Sequence, residues 1–242
     1  MRILSTAFWL PKKGNAPDEY EDAVFPSESF DSDSIAEFKC AVADGATETS
    51  FAGLWAKLLV EGYCGHLDIH QLRQEWNDQV HEKSLAWYAE QKVNSGAFAA
   101  LVGLTISADS SWKADAIGDS CLMQTRDNKI LFSFPILLAD DFNNSPFLLS
   151  TSLSDATGDT GLPESKKGEW QPGDVFLLMS DALAHWTLKR NEDHGDALTW
   201  IDQLTDNESF EAFTDLERST LDKDGRPLMR NDDVTLLRVK VD

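Results

Sequence analysis

The order of apolar segments predicts an α+β fold built on antiparallel sheets. Three observations carry this. Short strand-like runs come first, two helical stripes follow, and a block of successive strands occupies the middle of the chain. Helices then precede one last strand. Strands and helices grouped in this way do not give the alternating β-α-β pattern of a doubly wound parallel sheet.

The elements follow in order. Ile3 to Leu10 and Phe38 to Ala43 are short apolar runs bounded by polar residues, as strands are. Residues 14–38 carry eight acids and no Lys or Arg, which reads as a solvated acidic loop apart from Glu21 and Asp22. A helix follows, capped by Thr49 or Ser50, with Phe51, Leu54, Trp55, Leu58 and Leu59 at helical spacing. A second helix starts at Asp68, with Gln71 three residues on as in a capping box, and its stripe runs from Ile69 through Leu72, Trp76 and Val80 to Trp87. Ala97 to Ile106, Trp112 to Ile117, Cys121 to Thr125 and Lys129 to Phe134 are the successive strands, the last two joined by an Asp127-Asn128 turn. Val175 to Met179 reads as a buried strand and Ala182 to Lys189 as a helix. Two short amphipathic helices lie within 195–217, and Val234 to Val241 is the terminal strand.

A chain of 242 residues with 42% hydrophobic content and eight tryptophans can build a sizeable core. It has no internal repeat and no Gly/Ser or Pro-rich linker, so residues 1–242 read as one domain. Residues 138–172, polar and rich in Ser, Asp and Gly, read as an irregular insertion expected to be mobile. The 42 acids and 21 bases give a net charge of −21, which disfavours nucleic-acid binding and a polybasic membrane anchor. No apolar run approaches the ~20 residues of a membrane helix, and the N-terminus lacks the marks of a signal peptide. Three cysteines without a CxxC write no disulfide framework or zinc site, so a reduced, cytoplasmic setting is the default.

Acidic residues stand at three strand ends. Asp44 ends FKCAVAD and precedes Gly45, Asp181 ends DVFLLMSD, and Asp232 and Asp233 precede VTLLRV. Taken singly, Asp181 is also a credible helix cap and Asp44-Gly45 a credible turn. Taken together, carboxylates converging on a sheet rim would raise one another's pKa, and a divalent cation would relieve that. Hard oxygen ligands suit Mg²⁺ or Mn²⁺. Glycine at position 45 lets its backbone carbonyl approach the same ion.

The ordered set Glu21-Asp22-Ala23, VADG at 42–45, Gly96 opening GAFAALVGLTI, GDS at 118–120, SDA at 180–182 and DDVT at 232–235 resembles the metal-dependent protein phosphatases of the 2C type. The resemblance runs from about residue 5 to 240. It implies a four-layer α/β/β/α sandwich, two antiparallel sheets flanked by helices. By motif, Asp44 would bridge two Mg²⁺ or Mn²⁺ ions. Asp181 and Asp232 would complete one ion's ligands. Glu21 and the Gly45 carbonyl would serve the other, with Asp22 holding a water on it. The implied reaction is hydrolysis of phosphoserine or phosphothreonine on proteins by a water activated between the ions. The implied partners are a phosphorylated protein and a cognate Ser/Thr kinase. Asp119 and Ser120 of GDS read as structural.

The chain also departs from the family pattern. The arginine expected before the acidic pair is missing, leaving Lys13 or Lys12 to reach the phosphate as a point charge. Ala46 stands where many members have a histidine, and the acid of a third metal site is replaced in the stretch around Val93 and Asn94. These departures motivate an alternative, a catalytically weak module that binds phosphoproteins in a regulatory role. A phosphodiesterase or nuclease is a third reading, opposed by the net charge. His66, His70 and His81 read as exposed or capping side chains, and His185 as a packing residue.

Overall fold

The computed structural model describes residues 1–47, 49, 51–82, 96–143, 146–152 and 163–242. Its first sheet contains β1 (Ile3–Leu10), β3 (Phe30–Ser32), β7 (Cys121–Arg126), β8 (Lys129–Phe134), β11 (Val175–Met179) and β12 (Val234–Val241), in the spatial order β3-β1-β12-β11-β7-β8. The second contains β2 (Ala23–Phe25), β4 (Glu37–Gly45), β5 (Phe98–Ser107), β6 (Ser111–Ile117) and β10 (Glu164–Glu169), in the order β10-β6-β5-β4-β2, with β9 (Leu149–Ser150) paired to β5. Every pairing is antiparallel.

Helices α1 (Ala52–Gly65) and α2 (Ile69–His81) cover the outer face of the second sheet. Helices α3 (Asp181–His194), α4 (Ala197–Asp202) and α5 (Asn207–Ser219) cover the first. The result is the four-layer α/β/β/α sandwich.

Strand alternation explains the layering. Successive side chains of a strand point to opposite faces, so a strand between two cores must be apolar throughout. On β11, Phe176 and Leu178 enter the core between the sheets, while Leu177 and Met179 pack beneath α3–α5. On β4, Cys40 and Val42 face the inter-sheet core, and Ala41 and Ala43 face α1 and α2. Trp186 fills the first helical layer and donates its indole N–H to buried Glu217 at 2.7 Å. Trp55 and Trp76 fill the other. Each large apolar side chain buried this way contributes roughly 2 kcal/mol.

The terminal and central strands form where the apolar runs place them. Asp127 and Asn128 both take positive φ (50° and 57°), as a tight hairpin turn demands. Asp68 caps α2 by accepting from the His70 amide at 2.7 Å, and Gln71 reaches back to the Asp68 amide at 3.1 Å.

Other expectations change. Neither Thr49 nor Ser50 is the α1 cap: Phe51 holds that position in the left-handed region, with no side-chain cap bond. Thr49 instead donates to the Ala46 carbonyl at 2.8 Å, and Ser50 lies outside the described residues. The acidic stretch 14–38 contains β2 and β3, short edge strands too brief for a periodic signal. Within 138–172, β10 forms as an edge strand on β6, and its ESKKGE sequence has no apolar face to announce it. Gly168 of β10 lies under the Trp112 ring, where any Cβ would collide. Trp87, Val93 and Asn94 lie outside the described residues, as do 144–145 and 153–162 of the insertion. Among the described residues no helix is long and apolar enough to cross a membrane.

Candidate metal and phosphate site

The two sheets bring three strand ends to one rim. Asp44 is not in a turn: it remains paired in β4 opposite Ala100, and Gly45 opposite Ala99. Asp181 is not the α3 cap, because Ser180 holds that position, so the Asp181 carboxylate is not spent on the helix. Asp232 precedes β12, whose pairing with β11 sets it beside Asp181. Asp44, Gly45, Asp181 and Asp232 line one cavity of about 220 Å³, together with Thr47, Asp119 and Arg230. Asn143, Pro146 and Leu148, from the segment read as an insertion, form part of its wall.

Gly45 is required sterically. A Cβ there would lie 2.5 Å from the Glu21 carbonyl oxygen and 2.9 Å from the Ala52 carbonyl carbon. This close approach holds the Glu21-Asp22 pair against the end of β4. Glu21 opens on an adjoining cavity, which Thr47 shares, and burial raises its pKa while a hydrogen bond from Thr47 opposes that.

Asp22 lines neither cavity and is buried. Its Oδ2 accepts from the Thr235 hydroxyl at 2.7 Å. The Tyr20 hydroxyl makes a short hydrogen bond to the same Thr235 oxygen, so Tyr20 donates to Thr235 and Thr235 donates to Asp22. Among the described residues, the other oxygen of Asp22, Oδ1, has no hydrogen-bond partner. An orphaned buried carboxylate oxygen is costly and calls for a cation, a proton or water.

Electrostatics make the same demand. Poor solvation pushes the Asp44 pKa well up, and Asp22, Asp181, Asp119 and Asp232 add like-charge repulsion. Burial drives Asp22 in the same direction. Asp119 is pushed up to about 7, first by burial and then by Asp181. Burial and Asp181 raise Asp232, and Arg230 offsets part of this. Among the described residues, no three His, Cys, Asp or Glu side chains are gathered as a ready-made ion-binding group. Arg230 instead takes up two of the acids. Its Nη2 makes a short hydrogen bond to Asp181 Oδ2, and its Nε lies 3.6 Å from Asp232 Oδ2. The donor set is nonetheless all oxygen and overcharged, which fits hard divalent cations.

Three residues hold roles that sequence reasoning missed. Asp119, read as structural, faces the cavity. Asp233 is a clamp: its carboxylate accepts from the Lys12 amide at 2.7 Å and the Glu21 amide at 2.7 Å, tying the N-terminal loop to the start of β12. Arg230 is the third, and its place two residues before Asp232 was the available signal. Lys13 lies off the cavity wall, exposed, with its Nζ 3.8 Å from Asp215. His185 packs edge-on against Phe142 at 5.5 Å, and burial lowers its pKa.

No protein-family profile matches the sequence, and no curated protein matches it. Solved structures do. The photosystem II phosphatase PBCP is 16% identical, with a TM-score of 0.61 over 99% of both chains. The Mycobacterium tuberculosis serine/threonine phosphatase PstP is 16% identical, with a TM-score of 0.60 over 100% of both. The PstP catalytic domain in complex with two manganese ions is 17% identical, with a TM-score of 0.58 over 99% of this chain and 100% of that one. The chain thus has the fold of the 2C-type protein phosphatases.

Proposed function

We propose that the protein is a metal-dependent phosphatase of the 2C type that hydrolyses phosphoserine and phosphothreonine on proteins. The observation that carries this is the single cavity lined by Asp44, Gly45, Asp181 and Asp232, with Glu21 and Asp22 held against it by the close approach at Gly45. Asp44 would bridge two Mg²⁺ or Mn²⁺ ions, with Asp181 and Asp232 serving one and Glu21 and the Gly45 carbonyl the other. Asp22 would orient a water through its free Oδ1. Two bound divalent ions supply an activated water and neutralise charge on the transferring phosphoryl group.

The chain's own residues do the positioning. Asp233 fixes the loop that carries Glu21. Tyr20 and Thr235 orient Asp22. Asn143, Pro146 and Leu148 complete the cavity wall.

A phosphoprotein substrate, with a kinase that supplies it, follows from this chemistry. The net charge of −21 favours a phosphosite in a neutral or basic context, in a cytoplasmic setting. Lys13 remains a candidate second contact for the substrate at the outer edge of the site.

The test is direct. With Mn²⁺, the purified protein should hydrolyse p-nitrophenyl phosphate and a phosphothreonine peptide, and Asp44→Asn should abolish both. Turnover that persists in EDTA, or in Asp44→Asn, overturns the proposal. The Arg230–Asp181 pair and Ala46 favour a second reading, a weak catalyst that binds phosphoproteins. Tight binding of a phosphopeptide with negligible turnover at saturating Mn²⁺ would select it.

A further inference from the structure

Among the described residues, Arg230 is the one Lys or Arg that lines the acidic cavity. Its backbone is fixed from both sides. Met229 is fully buried in the core beneath α3–α5. The Asn231 side chain accepts from the Lys13 amide at 2.8 Å and donates to the Lys13 carbonyl at 3.3 Å. The Asp232 carbonyl accepts a short hydrogen bond from Arg218, which also donates to the Pro11 carbonyl at 3.3 Å. Asp233 holds two amides of the N-terminal loop. A rigid loop therefore presents Arg230 at the cavity rim. The side chain itself is half exposed (51%), and the contacts that hold its guanidinium are the polar ones to Asp181 and Asp232.

Charge decides where the guanidinium rests. Without cations it faces four lining acids, Asp44, Asp119, Asp181 and Asp232, and it pairs with two of them. Such a cavity repels a phosphate dianion. Two divalent cations would match those four acids charge for charge and draw Asp181 and Asp232 to themselves. The guanidinium would then be left at the mouth, with its positive charge and planar fork unspent. A phosphoryl group offers the bidentate oxygen pair that this fork accepts best.

We propose that Arg230 is the substrate-phosphate ligand of this site, parked on Asp181 and Asp232 until those acids take a divalent cation. The inference rests on the metal-site assignment proposed above. It supplies, from the opposite end of the chain, the bidentate arginine that the N-terminal loop lacks.

The test uses the full chain and calorimetry, without turnover. Mn²⁺ is titrated into wild type, Arg230→Gln and Arg230→Lys, and inorganic phosphate is then titrated into each Mn²⁺-loaded protein. Removing the competing cation should tighten Mn²⁺ binding on the order of fivefold in Arg230→Gln. Removing the fork should weaken phosphate binding by roughly tenfold or more in the same variant. Arg230→Lys, which keeps the charge but not the fork, should bind Mn²⁺ like wild type and phosphate less well. Unchanged phosphate affinity in Arg230→Gln refutes the ligand role, and unchanged or weaker Mn²⁺ binding refutes the parking. In both cases Mn²⁺ binding by wild type leaves the metal assignment standing. If wild type binds no Mn²⁺, the assignment and the inference fall together.

Discussion

Asp119→Asn should stabilise the metal-free protein, and the gain should depend on pH in a defined way. Asp119 is 6% exposed, faces Asp181, and titrates at about 7 in place of the ordinary 3.8. Its burial and its charged neighbour penalise the ionised form. Below pH 4 the carboxyl is protonated in both folded and unfolded states and contributes nothing to the pH dependence. Between about 4 and 7 the unfolded chain loses this proton while the folded protein keeps it. The wild type therefore loses stability against the variant by about 1.4 kcal/mol per pH unit. Above about 7 both states are ionised and the gap levels off. Three units would give on the order of 4 kcal/mol. Asparagine keeps the shape, and the bond from the Cys121 thiol goes to the position-119 backbone carbonyl, so it survives. The assay is urea denaturation of both proteins in EDTA from pH 4 to 8. A difference that is flat across this range, or one that favours the wild type at pH 8, would refute the electrostatic reasoning.

Gly45→Ala places a Cβ 2.5 Å from the Glu21 carbonyl oxygen and should cost about 1–3 kcal/mol by thermal denaturation, with loss of Mn²⁺ binding by calorimetry. Wild-type stability in that variant would mean the approach of Glu21 to β4 is not tight. Asp233→Ala removes two charge-assisted bonds, to the Lys12 and Glu21 amides, and should cost about 3 kcal/mol. Hydrogen exchange should then speed up at those two amides while the β11 and β12 amides stay protected. Thr235→Val breaks the chain from Tyr20 to Asp22 and removes the Thr235 hydrogen bond from the buried Asp22 Oδ2, which should cost about 1–3 kcal/mol in EDTA. Mn²⁺ should recover part of that loss in a melting assay.

The parts of the fold that were legible in the sequence are those where burial on two faces forces an apolar run. Val175–Met179 and Val234–Val241 are such runs, and both strands form at those bounds. Asp68 and Asp127-Asn128 were legible because caps and hairpin turns are local chemistry. The elements that escaped are edge strands. β2 and β3 have three residues each, and β10 is polar because nearly all of its side chains are exposed. The α1 start escaped because Phe51 adopts a left-handed backbone that nothing in its chemistry signals. In the site, strand-end acids were readable from the abrupt change from apolar to acidic. The clamp from Asp233 to Lys12 joins residues 221 positions apart, and the pairing of Arg230 with Asp181 spans 49. Such partnerships exist only once β12 lies between β1 and β11.

A crystal structure grown with Mn²⁺, with the ions located by their anomalous scattering, tests the central claim most directly. The account predicts two ions, one between Asp44, Asp181 and Asp232 and one between Asp44, Glu21 and the Gly45 carbonyl, with the Arg230 guanidinium released from Asp181. Asp181 still paired to Arg230 at saturating Mn²⁺, with no anomalous peak among these acids, would contradict it.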